Sequence, residues 1–163
     1  MARIAQTALT LATDRLAAET GISFTVADVA RRERVELPAL NGPLVQNVAP
    51  DLMEKTAGAQ YPRLHLYTEK VSNSLREKFR TFSGTVRLAA EIRVSQDRFE
   101  NLERNLLLYV DAVTDVLDSH RGCWSAGVLY TGGYEITLQP MKHGGKNFLQ
   151  TAKISFELEV SQD

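Results

Sequence analysis

A chain of 163 residues with a net charge of −1 and 44% apolar residues suits one folded domain with its own core and speaks against disorder. A balance so near neutral excludes a general pull toward nucleic acid, so any such contact must be local. The one cysteine, Cys123, excludes an intrachain disulfide, and no apolar run approaches the ~20 residues of a membrane-spanning helix.

Residues 3–19 read as a helix, with Ile4, Ala8, Leu11 and Ala12 on one side and Leu9 and Leu16 on a neighbouring stripe. Asp14 and Glu19 set this stretch apart from a secretory leader, which needs a basic start and a solid apolar centre. Gly21 is the predicted stop, because glycine tolerates the left-handed conformation at a helix end. Residues 22–37 alternate weakly, through Ile22, Phe24 and Val26 and then Val35 and Leu37, which predicts an irregular strand or extended arm. Pro38, Gly42, Pro43, Pro50 and Gly58 leave room only for a short helix near 50–57, opened by Pro50 or Asp51.

The pattern sharpens from Tyr61. Leu64, Leu66 and Val71 suggest a strand interrupted by polar residues. In TVRLAAEIRVS, Val86, Leu88, Ala90, Ile92 and Val94 share one face and Arg87, Ala89, Glu91 and Arg93 the other, a strand expected to be buried on one face only. Residues 96–119 predict a helix with the stripe Phe99, Leu102, Leu106, Tyr109, Val110, Val113, Val116 and Leu117. Ser95 or Asp97 is the expected cap and Gly122 the expected end. Gly132 and Gly133 precede the alternating Tyr134, Ile136 and Leu138. The final strand turns Ala152, Ile154, Phe156, Leu158 and Val160 inward and Lys153, Ser155, Glu157 and Glu159 outward.

The order from residue 61 is strand, strand, helix, strand, strand. One polar face per strand favours antiparallel pairing. The expected fold is therefore α+β, a two-layer sandwich of a mainly antiparallel sheet with helices packed on one face. One domain is expected over 1–163: an N-terminal helix and irregular arm over 1–60, and a core sheet with its long helix over 61–160. The expected core is Val86, Leu88, Ile92, Val94, Leu102, Leu106, Val110, Val113, Ile136, Ile154, Phe156 and Leu158.

Little in the sequence suggests catalysis. His65, His120 and His143 are the only histidines, and none stands at metal-ligand spacing from another His or Cys. No nucleophile motif or paired-cysteine motif occurs, so neither an enzyme nor a cofactor is expected. HGGKNF resembles a phosphate cradle only in part. Asn147 replaces the hydroxyl residue, and a strand rather than a helix follows, so the helix N-terminus that would hold the anion is lacking. The stretch from Lys142 to Gln150 reads as an exposed hairpin loop used for assembly, carried by Lys142, His143, Gly144, Gly145, Lys146, Asn147 and Phe148. REKFRTF is basic with interleaved aromatics but lacks an RNA-binding strand motif. Phe79 and Phe82 are expected to pack beneath a loop, leaving Arg76, Lys78 and Arg80 as candidates for an interface loop.

Two stretches together carry a resemblance. One is YPRLHLYTEKVSNSLREKFRTFSGTVRLAAEIRVS, with its F-S-G entry into a strand and a long helix after it. The other is YTGGYEITLQPMKHGGKNFLQTAKISFELEV, with G-G-K-N-F before the last strand. Over residues 61–160 the chain resembles the tail-terminator and tail-completion (neck) proteins of tailed bacteriophages. That resemblance implies a structural virion protein, assembled in the cytoplasm of a bacterial host, that forms a six-fold ring at the head-proximal end of the tail tube. Such a ring stops tube growth and meets the head. It has no catalytic residues to carry over. The implied partners are further copies of the chain, the tail tube protein and a head-completion or connector protein, with a sheath if the tail is contractile. Genomic DNA would pass through without sequence-specific binding, and no membrane is involved. A channel for DNA should avoid strong positive charge, so Glu91, Glu157 and Glu159 are candidates to line it or to face a neighbouring subunit. Two alternatives stay open: a head-completion or connector ring, and a ferredoxin-like regulatory domain that binds a small ligand.

Overall fold

The computed structural model describes residues 2–50, 52, 60–144 and 147–163. Helices Ala2–Ala17 (α1) and Ile22–Glu33 (α2) lead into a short strand, Asn41–Leu44 (β1). Arg63–Asn73 (β2) and Phe82–Gln96 (β3) form a hairpin, and helix Leu102–Asp118 (α3) follows. Four more strands come after it: Gly122–Ser125 (β4), Val128–Leu138 (β5), Lys142–Gly144 (β6) and Asn147–Gln162 (β7).

These elements make a mixed α/β fold with one curled sheet in the order β1-β2-β3-β7-β5-β4, and β6 paired to the start of β7. β1 runs parallel to β2, and the other pairings are antiparallel. β3 and β5 consequently run parallel with β7 between them. α3 joins them, a split βαβ unit of the kind found in ferredoxin-like sheets.

The β3–β7 pair sets the frame. Its register is unbroken from Phe82↔Gln162 to Gln96↔Phe148. Strict alternation puts Val86, Leu88, Ala90, Ile92 and Val94 beside Ala152, Ile154, Phe156, Leu158 and Val160 on one buried face. α3 lays Leu102, Leu106, Tyr109, Val110, Val113 and Val116 on that face, each worth roughly 1.5–3 kcal/mol of apolar burial. α1 covers β2 through Ala8, Ala12 and Leu16, and α2 packs chiefly on α3 through Ile22, Val26 and Val29. Tyr109 Oη donates to the Pro38 carbonyl at 2.6 Å, tying α3 to the segment after α2. Gly84 explains the F-S-G entry into β3: a Cβ there would lie 1.8 Å from the Ser72 carbonyl oxygen, so β2 approaches only glycine this closely.

Several expectations are corrected. The extended arm over 22–37 is helix α2 over Ile22–Glu33, because Ile22, Val26 and Val29 recur at helical spacing while Phe24 is exposed. Gly21 is not left-handed (φ −82°). It is glycine because a Cβ would lie 2.2 Å from the Leu16 carbonyl oxygen. α3 begins at Leu102, since β3 runs on to Gln96 and keeps Ser95 in the strand. Asn101, in the left-handed region at φ 62°, occupies the cap position without a side-chain bond, so neither Ser95 nor Asp97 caps the helix. α3 ends at Asp118 with Ser119 as its cap, while Gly122 opens β4. The β4–β5 hairpin was not expected, and β5 runs through Gly132 and Gly133 with a register shift between Tyr130 and Tyr134.

Ile136, expected in the core, is 41% exposed, and Phe79, expected beneath a loop, is 99% exposed; Phe82 is buried. Of the short helix near 50–57, Pro50 and Leu52 are helical, and Asp51 and residues 53–59 lie outside the described residues. The expectation of one-sided burial also fails. Arg63, His65, Ala89 and Arg93 are buried on the second face of the sheet, where the segment after β1 reaches across and the Val48 carbonyl accepts a hydrogen bond from Arg93 Nη2.

Candidate functional site

The second face of the sheet is a charged surface centred on Arg87 of β3. Its guanidinium meets three carboxylates from three other strands: Glu69 of β2 at 3.1 Å, Glu135 of β5 at 2.7 Å and Glu157 of β7 at 3.7 Å. Glu69 also accepts from Lys153 Nζ at 2.7 Å and Ser155 Oγ at 2.9 Å. Burial pushes the Glu69 carboxyl up, but the bonds from Lys153, Ser155 and Arg87 outweigh it and hold the group below its ordinary value. The hydrogen bonds that Arg87 donates to Glu135 and Glu69 hold its guanidinium above its ordinary value. An open cleft of about 380 Å³ lies here, lined by Arg87, Thr131, Tyr134, Glu135, Ser155 and Glu157. The charges are already matched to one another, so this surface offers pattern and rigidity more than reactivity.

Glu91, Glu157 and Glu159 share this face, as their spacing implies. They do not form a bare acidic lining. Glu91 accepts from Arg93 Nε at 3.0 Å, Glu157 lies by Arg87, and Glu159 lies 3.9 Å from Arg76. Arg76, Lys78 and Arg80 fall in the exposed link between β2 and β3. Arg80 pairs with Asp163 and, at 3.3 Å, with Glu77, so much of the basic character of this link is neutralised within the chain. Cys123 is exposed, as a free thiol.

The stretch expected as an exposed hairpin loop used for assembly does pair as a hairpin, but Asn147 to Gln150 belong to β7 and not to a loop. Lys142 pairs with Leu149, His143 with Phe148 and Gly144 with Asn147. Gly145 and Lys146 lie outside the described residues. Phe148 is half-buried, edge-on to Phe99 at 5.9 Å and 5.0 Å from the His143 ring, so it is not a free aromatic anchor. Leu149 and Gln150 are buried. The correction has a simple cause: β7 starts earlier than its alternation reveals, and its first residues recruit Lys142–Gly144 as a partner strand.

Two sheet edges were not visible in the sequence. β4 covers β5 only at Val128–Tyr130, so among the described residues the outer edge of β5 from Thr131 to Leu138 has no partner strand. β1 covers β2 only near Arg63 and His65, which leaves the outer edge of β2 beyond His65 unpaired in the same sense. Ile136, Leu138 and Met141 are exposed along or just beyond the β5 edge. Only the surplus of apolar residues in YEITL hinted at this, and it read as core. Among the described residues no group of three or more His, Cys, Asp or Glu is placed to hold a metal ion. Comparison of the sequence with protein-family models and with curated proteins returns no match.

Proposed function

We propose that the protein is a structural subunit of a bacteriophage tail: a terminator whose copies close into a ring at the head-proximal end of the tail tube and join it to the head. In that role it is a two-layer subunit, with a mainly antiparallel sheet and its helices on one face. The observation that carries the reading is a pair of unlike edges on one sheet that have no partner strand among the described residues. A ring needs a heterologous contact between two different surfaces, and strand addition supplies one through main-chain hydrogen bonds. The polar outer edge of β2 and the apolar outer edge of β5, with its exposed Ile136 and Leu138, meet that requirement. The sequence resemblance over residues 61–160 supplies the place in the virion and the six-fold symmetry. No catalytic group is invoked. The deciding experiment is electron microscopy of cognate tail tubes with and without the protein. A ring at one end and a fixed tube length support the reading. Binding to filled heads in preference to tubes would transfer the ring to the connector.

The split βαβ sheet favours a second reading, a small-ligand regulatory domain. It predicts a dimer at every concentration and a metabolite that raises the melting temperature.

A further inference from the structure

Arg63 of β2 and Arg93 of β3 are cross-strand partners on the second face of the sheet, and His65 stands two residues along from Arg63 on the same face. All three are at least nine-tenths buried, at 8%, 1% and 0% exposure. Among the described residues Glu91 is the one anion that pairs with them, and it is bound to Arg93. Arg63 lies over the Tyr61 ring, 5.7 Å from its centroid, and forms no ion pair with a carboxylate among the described residues. Arg63 Nε and Nη1 and Arg93 Nη1 have no hydrogen-bond partner, and the only hydrogen-bonding neighbour of the His65 ring among the described residues is the Gln46 backbone. Among the described residues two guanidinium charges stand against one carboxylate, an excess of one positive charge.

That arrangement is costly as it stands. A buried charge without a counter-ion is destabilising, and a guanidinium cannot shed its proton to escape. Burial, with Arg93 and then Arg63 beside it, lowers His65 to about 4, so the imidazole adds no charge near neutrality. We propose that Arg63, Arg93 and His65 form a receiving site for a small oxyanion such as inorganic phosphate, enclosed between β2, β3 and the segment through Val48. A single negative charge balances the excess. Guanidinium groups are the side chains best shaped for oxyanions, with several N–H donors fixed in one plane. A neutral imidazole supplies a further donor, and it gains a proton readily once an anion sits beside it. The site takes a free ion and not a polymer, because every unpaired donor lies beneath the sheet's cover, beyond reach of a nucleic-acid backbone. The inference does not depend on the role in the tail.

The test uses the whole protein and inorganic phosphate, against sodium chloride at matched ionic strength. Melting temperature and the His65 ring resonance, assigned with His65→Gln, are followed together. Saturating phosphate is expected to raise the melting temperature by at least about 2 °C and to lift the His65 titration midpoint by about one unit or more. Arg63→Met should abolish both effects while melting no lower than the native chain in chloride, since it removes an unpaired buried charge. If that variant does not fold, the His65 titration of the native protein decides alone. Equal melting in the two salts with an unmoved His65 midpoint overturns the proposal. So does a melting rise with His65 unmoved, which places the anion elsewhere, and so does a phosphate effect that survives in Arg63→Met.

Discussion

Arg63 and Arg93 face each other directly across the β2–β3 pair, and both are buried. They lie near His65, whose midpoint falls to about 4 through burial first, then Arg93 and Arg63, against a backbone hydrogen bond with Gln46 that raises it. An unfolded histidine titrates near ~6.5. Between those values the unfolded chain binds a proton that the folded chain refuses, so acid favours unfolding. The contribution of His65 is full above about pH 6.5 and is lost as pH falls toward 4, by something on the order of 3 kcal/mol. Urea unfolding at pH 7 and pH 5 in chloride should show the loss, and His65→Gln should flatten it. A native slope equal to that of the variant would contradict the assignment.

The core prediction concerns α3. Leu106 is fully buried, so Leu106→Ala should cost about 2–5 kcal/mol. Ile136→Ala, at a half-exposed edge position, should cost less than about 1 kcal/mol. Chemical denaturation of the two variants measures both, and similar losses would mean that the edge is covered in the folded monomer.

The base of the hairpin is held by aromatic contact. Phe99 and Phe148 meet edge-on at 5.9 Å. A double-mutant cycle to alanine should return a coupling of about 0.5–1.5 kcal/mol. Changing Phe148 will therefore lower stability as well as alter any docking surface, and an assembly defect in Phe148→Ala must be read against its melting curve. A coupling near zero would return Phe148 to the role of a free anchor.

Charge on a strand edge blocks pairing with another chain. Ile136→Lys with Leu138→Lys should leave the melting temperature within a few degrees of the native value and abolish ring closure. Sedimentation in the presence of tail tubes reads the second effect. Rings of normal mass from this variant would remove the β5 edge from the interface.

What was legible in the sequence follows from how strongly each element is patterned. β3 and β7 bury one face along most of their length, so Val86 to Val94 and Ala152 to Val160 announce both strands and their inward sides. α2 was misread because Ile22, Phe24 and Val26 imitate alternation over its first residues, and only Val29 breaks the tie. β6 is three residues long and borrows its conformation from β7, which no local pattern encodes. The buried arginines were hidden for a different reason. On a strand, a charged residue at every second position reads as a solvent face. Whether another segment covers it depends on contacts such as Arg93 to Val48, 45 residues away. The free edges were hidden likewise, because pairing is a property of neighbours and not of β2 or β5 alone.

The central claim is that copies of this chain close into a ring on the tail tube. Cryo-electron microscopy of cognate tubes assembled with the purified protein tests it most directly. The account predicts a six-fold ring at one end only, with the β5 edge of each subunit against the β2 edge of the next. Bare tube ends, or subunits bound along the tube as isolated dimers, would contradict it.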